Sequence, residues 1–133
     1  MKPAVFVVHT LDHGRAALAA AGGRPAILLS PPGAAGHQGV AWWLALMRAL
    51  RAEFPMARLT GALDCADCAG WALAALAQGV DRIVLTGEGP AQRAVREAAE
   101  QKGAWGEGRW GNDALDLLGA PDPGRSCREF VQR

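Results

Sequence analysis

Residues 57–89, ARLTGALDCADCAGWALAALAQGVDRIVLTGEG, decide how this chain folds. Residues 57–63 make a strand-length run, and the acidic turn Asp64-Cys65-Ala66-Asp67-Cys68 follows it. Residues 69–78 carry no charge and have helical length; Gly79-Val80-Asp81 makes a corner, and residues 82–86 form a second apolar strand leading into Gly87-Glu88-Gly89. Strand, helix and strand in that order are a βαβ unit, which requires a parallel pair joined by a right-handed crossover. The unit also sets two polar turns, DCADC and TGEG, at the carboxyl ends of its strands. Open α/β sheets bind ligands along that edge.

Upstream the same alternation repeats. Val5-Phe6-Val7-Val8 is a continuous apolar run with β-branched residues, as in a strand buried on both faces. Thr10 or Asp12 in the following turn suits the cap of a helix over residues 15–21, accepting an orphan backbone N–H, and Gly22-Gly23 ends that helix. Residues 25–30 are a second buried strand. A glycine- and proline-rich loop, residues 30–39, leads into a long helix over residues 40–53. Val40, Trp43, Leu44, Met47, Leu50 and Phe54 share one face at helical spacing and are expected to cover the sheet. Trp42 falls about a quarter turn or more off that face.

Downstream, Pro90 suits a first helical position, and residues 91–102 form an amphipathic helix with Ala91, Ala94, Val95 and Ala98 inward, Arg93, Arg96, Glu97 and Glu100 outward. Residues 104–110 are a weak fifth strand, broken by glycines, and residues 113–118 read equally as a short helix or an edge strand. Residues 119–133 carry Pro121 and Pro123 and a polar end, which predicts a C-terminal surface tail behind a single α/β domain over residues 1–118. The expected architecture is an open, mostly parallel sheet of four to five strands in three layers, with helices on both faces, Rossmann-like or flavodoxin-like. Residues 77–87, AQGVDRIVLTG, also resemble the helix-to-strand joint of (β/α)-barrel enzymes. A full barrel takes eight units and about 250 residues, so that alternative is confined to a half-barrel-like (βα)4.

At 133 residues the chain suits one domain, and 50% hydrophobic against 20% charged residues supports a packed core over disorder. Its 14 basic and 13 acidic residues leave a net charge of +1, with no basic stripe of the kind nucleic acid requires. No run approaches the roughly 20 apolar residues that span a bilayer, and residues 4–8 are too short for a signal peptide. Neither nucleic acid nor membrane is expected as a partner, and a cytoplasmic location is. Three cysteines, an odd count, argue against a disulfide framework and fit a reducing compartment.

Three features carry possible chemistry. Gly33-x-x-Gly36-x-x-Gly39 lies between a strand and a helix, where exposed backbone N–H groups favour an anion such as phosphate. Its spacing is neither the dinucleotide fingerprint nor the P-loop, and the same glycines would serve a loop that only bends tightly. Cys65-x-x-Cys68 at a helix start is the context of a redox dithiol or half a zinc site. Asp64 and Asp67 disfavour a thiolate there, and the zinc signature has no second half. The competing reading has Asp64 or Asp67 capping the helix and the thiols packed as small apolar groups. His9, His13 and His37 all follow the first two strands, beside Asp12, Asp64, Asp67 and Glu88, which fits acid/base chemistry near neutral pH. No nucleophile elbow accompanies them.

The expected ligand-binding set is His9, Thr10, Asp12, Ser30, Gly33, Gly36, His37, Asp64, Asp67, Thr86, Gly87 and Glu88. The expected function is binding of a small, anionic or phosphorylated molecule at the carboxyl edge, with catalysis left undecided and no metal or cofactor assigned. Two alternatives stand beside it: a non-catalytic oligomeric scaffold, and a dithiol or zinc protein using Cys65 and Cys68. A homodimer is expected through Trp42 and the uncharged helix surfaces, since one sheet covers only one side of each helix.

Overall fold

The computed structural model describes residues 2–133. Its elements in chain order are β1 (Ala4–Val7), α1 (Leu11–Ala21), β2 (Ala26–Leu29), α2 (Ala34–His37), α3 (Val40–Glu53) and β3 (Leu59–Asp64). There follow α4 (Ala69–Ala77), β4 (Arg82–Val84), α5 (Pro90–Gln101), α6 (Trp110–Asp113), β5 (Leu115–Asp116) and α7 (Pro123–Val131). The apolar runs pair in parallel as one five-stranded sheet in the order β4-β3-β2-β1-β5. Phe6 stands opposite Leu28, Leu28 opposite Gly61, and Leu63 opposite Ile83.

Alternation along each strand divides the core in two. Phe6, Val8, Leu28, Leu63 and Ile83 share one cluster with the buried faces of α1, α2, α3, α4, α5 and α7. Val5, Val7, Ile27, Leu29, Ala62 and Val84 form the other, against which Trp110 and Ala114 pack. Topology explains the imbalance. The chain steps from β1 to β4 in one direction, so right-handed crossovers all fall on the same face. It then returns to the free edge of β1, and the returning segment carries α6 over the opposite face. The fold is thus α/β with an all-parallel sheet and helices on both faces, the third layer being one short helix. The consecutive order of β1 to β4, with crossovers on one side, is also the pattern of a half-barrel.

Several local expectations change. The weak strand over residues 104–110 shrinks to a parallel bridge between Trp105 and Ile83, because Gly103, Gly106 and Gly108 interrupt it. The edge strand appears further on, as β5. The expected surface tail is instead α7: Asp122 caps it by accepting from Arg125 N at 3.0 Å, and Cys127 is fully buried. Pro123 occupies the first turn, where its missing N–H costs nothing, so it opens the helix. Cys127, Phe130 and Val131 follow at helical spacing, and the Phe130 ring meets Phe6 edge-on at 5.5 Å. Trp42 is half-buried against the core, its ring 5.8 Å from that of Trp43, so it is not the leftover apolar surface. That surface lies on α4, at Trp71 and Leu73, which are 38% and 53% exposed. Among the described residues no helix is long and apolar enough to cross a membrane.

Candidate functional site

The carboxyl ends of the strands gather most of the predicted site, in three separate groups. At the first, β1 delivers His9, and parallel pairing of Val7 with Asp116 brings β5 alongside. His9 Nε2 and Asp116 Oδ1 lie 2.8 Å apart, and the same carboxylate oxygen accepts the Leu118 N–H at 2.9 Å. Burial pushes the Asp116 carboxyl up, but the Leu118 N–H and the His9 ring outweigh it and hold it below its ordinary value. His13 Nδ1 accepts the His9 backbone N–H at 3.1 Å, which puts the proton of its neutral ring on Nε2. Burial and then His9 lower the His13 pKa, against the opposing pull of Asp116 and Asp12. Thr10 caps α1 by accepting from His13 N at 3.1 Å, which starts the helix at Leu11 instead of residue 15. Asp12 is exposed and turned to Arg15, at 3.0 Å.

The second group ties β2 to β3. Ser30 is buried; its hydroxyl accepts from Asp64 N at 2.8 Å and donates to Pro31 O at 3.1 Å. Asp64 Oδ1 in turn accepts the Gly33 N–H at 2.9 Å and the Ala66 N–H at 2.8 Å. Gly33 adopts φ 68°, a left-handed conformation suited to glycine, and presents its N–H inward to the protein's own carboxylate. The ring of Trp71 lies where a Gly36 side chain would stand, and exposed His37 sits beside Gly33.

The third group is concave. Thr86 N donates to Ala66 O at 2.9 Å, Gly87 turns at φ 97°, and Gln92 Nε2 bonds the Asp67 carbonyl at 2.8 Å. Two adjoining hollows of about 470 and 480 Å³ open here, sharing Leu85, Gly87, Glu88, Arg96 and Trp105 in their walls. The Arg96 guanidinium sits 4.9 Å from the Trp105 ring centre and bonds Glu100 at 2.7 Å. Arg93 bonds the Glu88 carbonyl, and Arg109 pairs with Glu107. α5 begins at Gly89 and Pro90 with no side-chain cap, so its first N–H groups are left to other partners. Thr86, Gly87 and Glu88 are the predicted residues in these walls; Trp105, Arg96 and Arg109 are not among those predicted. Their only sequence signal is a tryptophan set among glycines after an amphipathic helix.

Cys65 sits between Asp64 and Ala66 of the second group, and Cys127 lies on α7. Cys65 is fully buried with Sγ 3.6 Å from Leu63 O, and burial, then Asp64 and Cys68, pushes it up to about 12. Cys127 is pushed up to about 11, again by burial. A thiol held that high forms no thiolate near neutral pH. Neither Asp64 nor Asp67 caps α4; Cys68 holds that position without a side-chain bond. Among the described residues no three His, Cys, Asp or Glu side chains stand close enough to hold a metal ion. A scan of protein-family models finds no match to the chain, and a search of curated proteins finds none.

Proposed function

We propose that this protein binds a small molecule carrying an anionic group, a phosphate being the natural case, at the carboxyl edge of its sheet. The observation that supports this reading is the paired hollow at the end of β4, walled by Trp105, Arg96 and the Gly87-Glu88 turn. An apolar part of the ligand packs on the Trp105 indole. The anionic part meets the uncapped amino end of α5, beside the ion-paired Arg96 and Arg109. His9, Ser30 and Asp64 lie on the same edge and shape its neighbourhood. A cytoplasmic location belongs to this reading, and three free cysteines fit a reducing compartment.

The test is amide shift mapping with a panel of small phosphorylated compounds. The expected result is movement at Thr86, Gly87, Gln92 and the Trp105 indole. Trp105→Ala should weaken the same ligand by roughly tenfold or more, the scale of one lost aromatic contact with its burial. Movement confined to residues away from this hollow would sink the proposal.

A second reading, an oligomeric scaffold, has its own support in the exposed Trp71 and Leu73 of uncharged α4. It places a two-fold dimer on that helix, away from Trp42, and sedimentation at micromolar concentration decides it. Trp71→Ala with Leu73→Ser should then yield a monomer.

A further inference from the structure

The opposite, amino edge of the sheet carries a different charge pattern. Arg82 opens β4, Arg51 lies in the last turn of α3, and Lys102 ends α5. These three cations and Thr60 line a hollow of about 460 Å³ around one carboxylate, Asp81. That carboxylate is already engaged twice, by Arg51 and by the Gly61 N–H at 2.9 Å. Arg82 Nη1 reaches only the Asp81 carbonyl, at 2.9 Å. Among the described residues neither Arg82 nor Lys102 has a carboxylate partner. An adjoining hollow of about 280 Å³ shares Arg51 and Asp81 and is walled by Trp43. The Trp43 indole N–H is buried with no partner.

Helix dipoles account for part of this. A cation at a helix carboxyl end is stabilised by the dipole, which explains Arg51 and Lys102. Arg82 opens β4 just past the carboxyl end of α4, and the dipole leaves it without a carboxylate partner. The dipole does not supply the orphaned indole donor either, nor the space between the side chains. At the carboxyl-edge hollow Arg96 and Arg109 each pair with a carboxylate, whereas of the three amino-edge cations Arg51 alone does.

We propose that the amino-edge hollow is a second binding site, for the phosphate group of a small molecule. The planar guanidinium forks of Arg51 and Arg82 suit pairs of phosphate oxygens, and the Lys102 ammonium adds a point charge. The body of the ligand extends toward the neighbouring hollow, along the wall that Trp43, Leu44 and Met47 form. This site stands apart from the carboxyl-edge hollow, with the length of β4 between them.

The experiment titrates ¹⁵N-labelled protein with inorganic phosphate and then phenyl phosphate, with sodium chloride at matched ionic strength as control. The expected shifts fall at Thr60, Val80, Arg82 and Gly103 and at the Trp43 indole N–H. Lys102→Gln, an exposed position that leaves the rest of the spectrum in place, weakens binding roughly tenfold, the scale of one charge-assisted hydrogen bond. Affinity also falls as pH drops below about 6, where a phosphate monoester takes up its second proton. Amino-edge amides that stay still at millimolar phosphate overturn the proposal, as do shifts that sodium chloride reproduces or that Lys102→Gln leaves unchanged. Movement only at residues 86–93 removes this site and leaves the carboxyl-edge reading standing; movement only at the amino edge does the reverse.

Discussion

The two faces of the sheet are closed by different means. Over Phe6, Leu28, Leu63 and Ile83 lie the long helices, with Trp43, Leu50 and Leu18 fully buried between. Over Val5, Val7, Ile27, Leu29, Ala62 and Val84 lies one returning segment with Trp110 and Ala114. The first face is held by side-chain volume at helical spacing. The segment over the second is tied at the edge of β4 by a close backbone approach, where Gly106 N donates to Ile83 O at 2.7 Å. A loss of volume should therefore hurt the first face most, and a gain of volume the second.

Trp43→Ala tests the first half of that contrast and carries the largest expected effect. Trp43 is fully buried and packs with Met47 over Gly61, whose missing side chain makes room for both. Truncation removes a large core side chain, and the expected loss is about 3–5 kcal/mol in urea unfolding. Trp42→Ala, at a half-buried position, should cost clearly less. Equal costs at the two positions would contradict this assignment of the α3 faces.

The second half is tested by adding a single methyl group. A Cβ at Gly106 would stand 2.6 Å from the Ile83 carbonyl oxygen and 2.9 Å from Val84 Cγ2. The first of those atoms is backbone within a strand pair and has little freedom to yield. Gly106→Ala should cost about 1–3 kcal/mol, as overpacking does. Gly61→Ala makes a useful comparison, because its Cβ would meet Met47 Sδ at the same 2.6 Å. A methionine end can swing aside, so Gly61→Ala should cost less. The reverse order would show that the returning segment is loosely attached.

The same contrast explains what was legible beforehand. The face under the long helices is written in periodicity: Val40, Trp43, Met47 and Leu50 recur at helical spacing and are all buried. The βαβ unit within residues 57–89 is legible for the same reason, since β3, α4 and β4 each fill an uninterrupted run. The returning segment has no period, only glycines around Trp105 and Trp110, so its course is hidden in the sequence. α7 was obscured by two prolines, one of which starts the helix. At the site, Thr86, Gly87 and Glu88 follow from the rule that ligands meet strand carboxyl ends. The His9–Asp116 pair does not, because it depends on β5 joining the free edge of β1 instead of the edge of β4. Strand order is set by long-range packing, and no spacing between residues 9 and 116 encodes it.

The smallest expected effect lies at that β1–β5 joint, where the returning segment finally meets the strands it covers. His13 holds its neutral ring toward the His9 N–H, and its folded-state pKa is lowered from 6.5, chiefly by burial. Well above pH 6.5 the ring is neutral in both states and contributes no pH dependence. As pH falls past 6.5 the unfolded chain takes up the proton more readily than the folded one, so stability declines until the folded ring titrates as well. Glu53, lowered from 4.5 by its bond to Arg15, contributes stability that is lost only as pH falls below that value. Asp116, lowered from 3.8, adds its own loss further down. Between pH 6.5 and 4.5, then, His13 is the group whose shift drives the change. His13→Gln keeps an acceptor for the His9 N–H and removes the titrating ring. Urea midpoints across that interval should slope downward with acid in the native protein and flatten in the variant, while the fall at lower pH persists in both. Parallel profiles through the interval would place the acid sensitivity elsewhere and leave the joint without a titrating part.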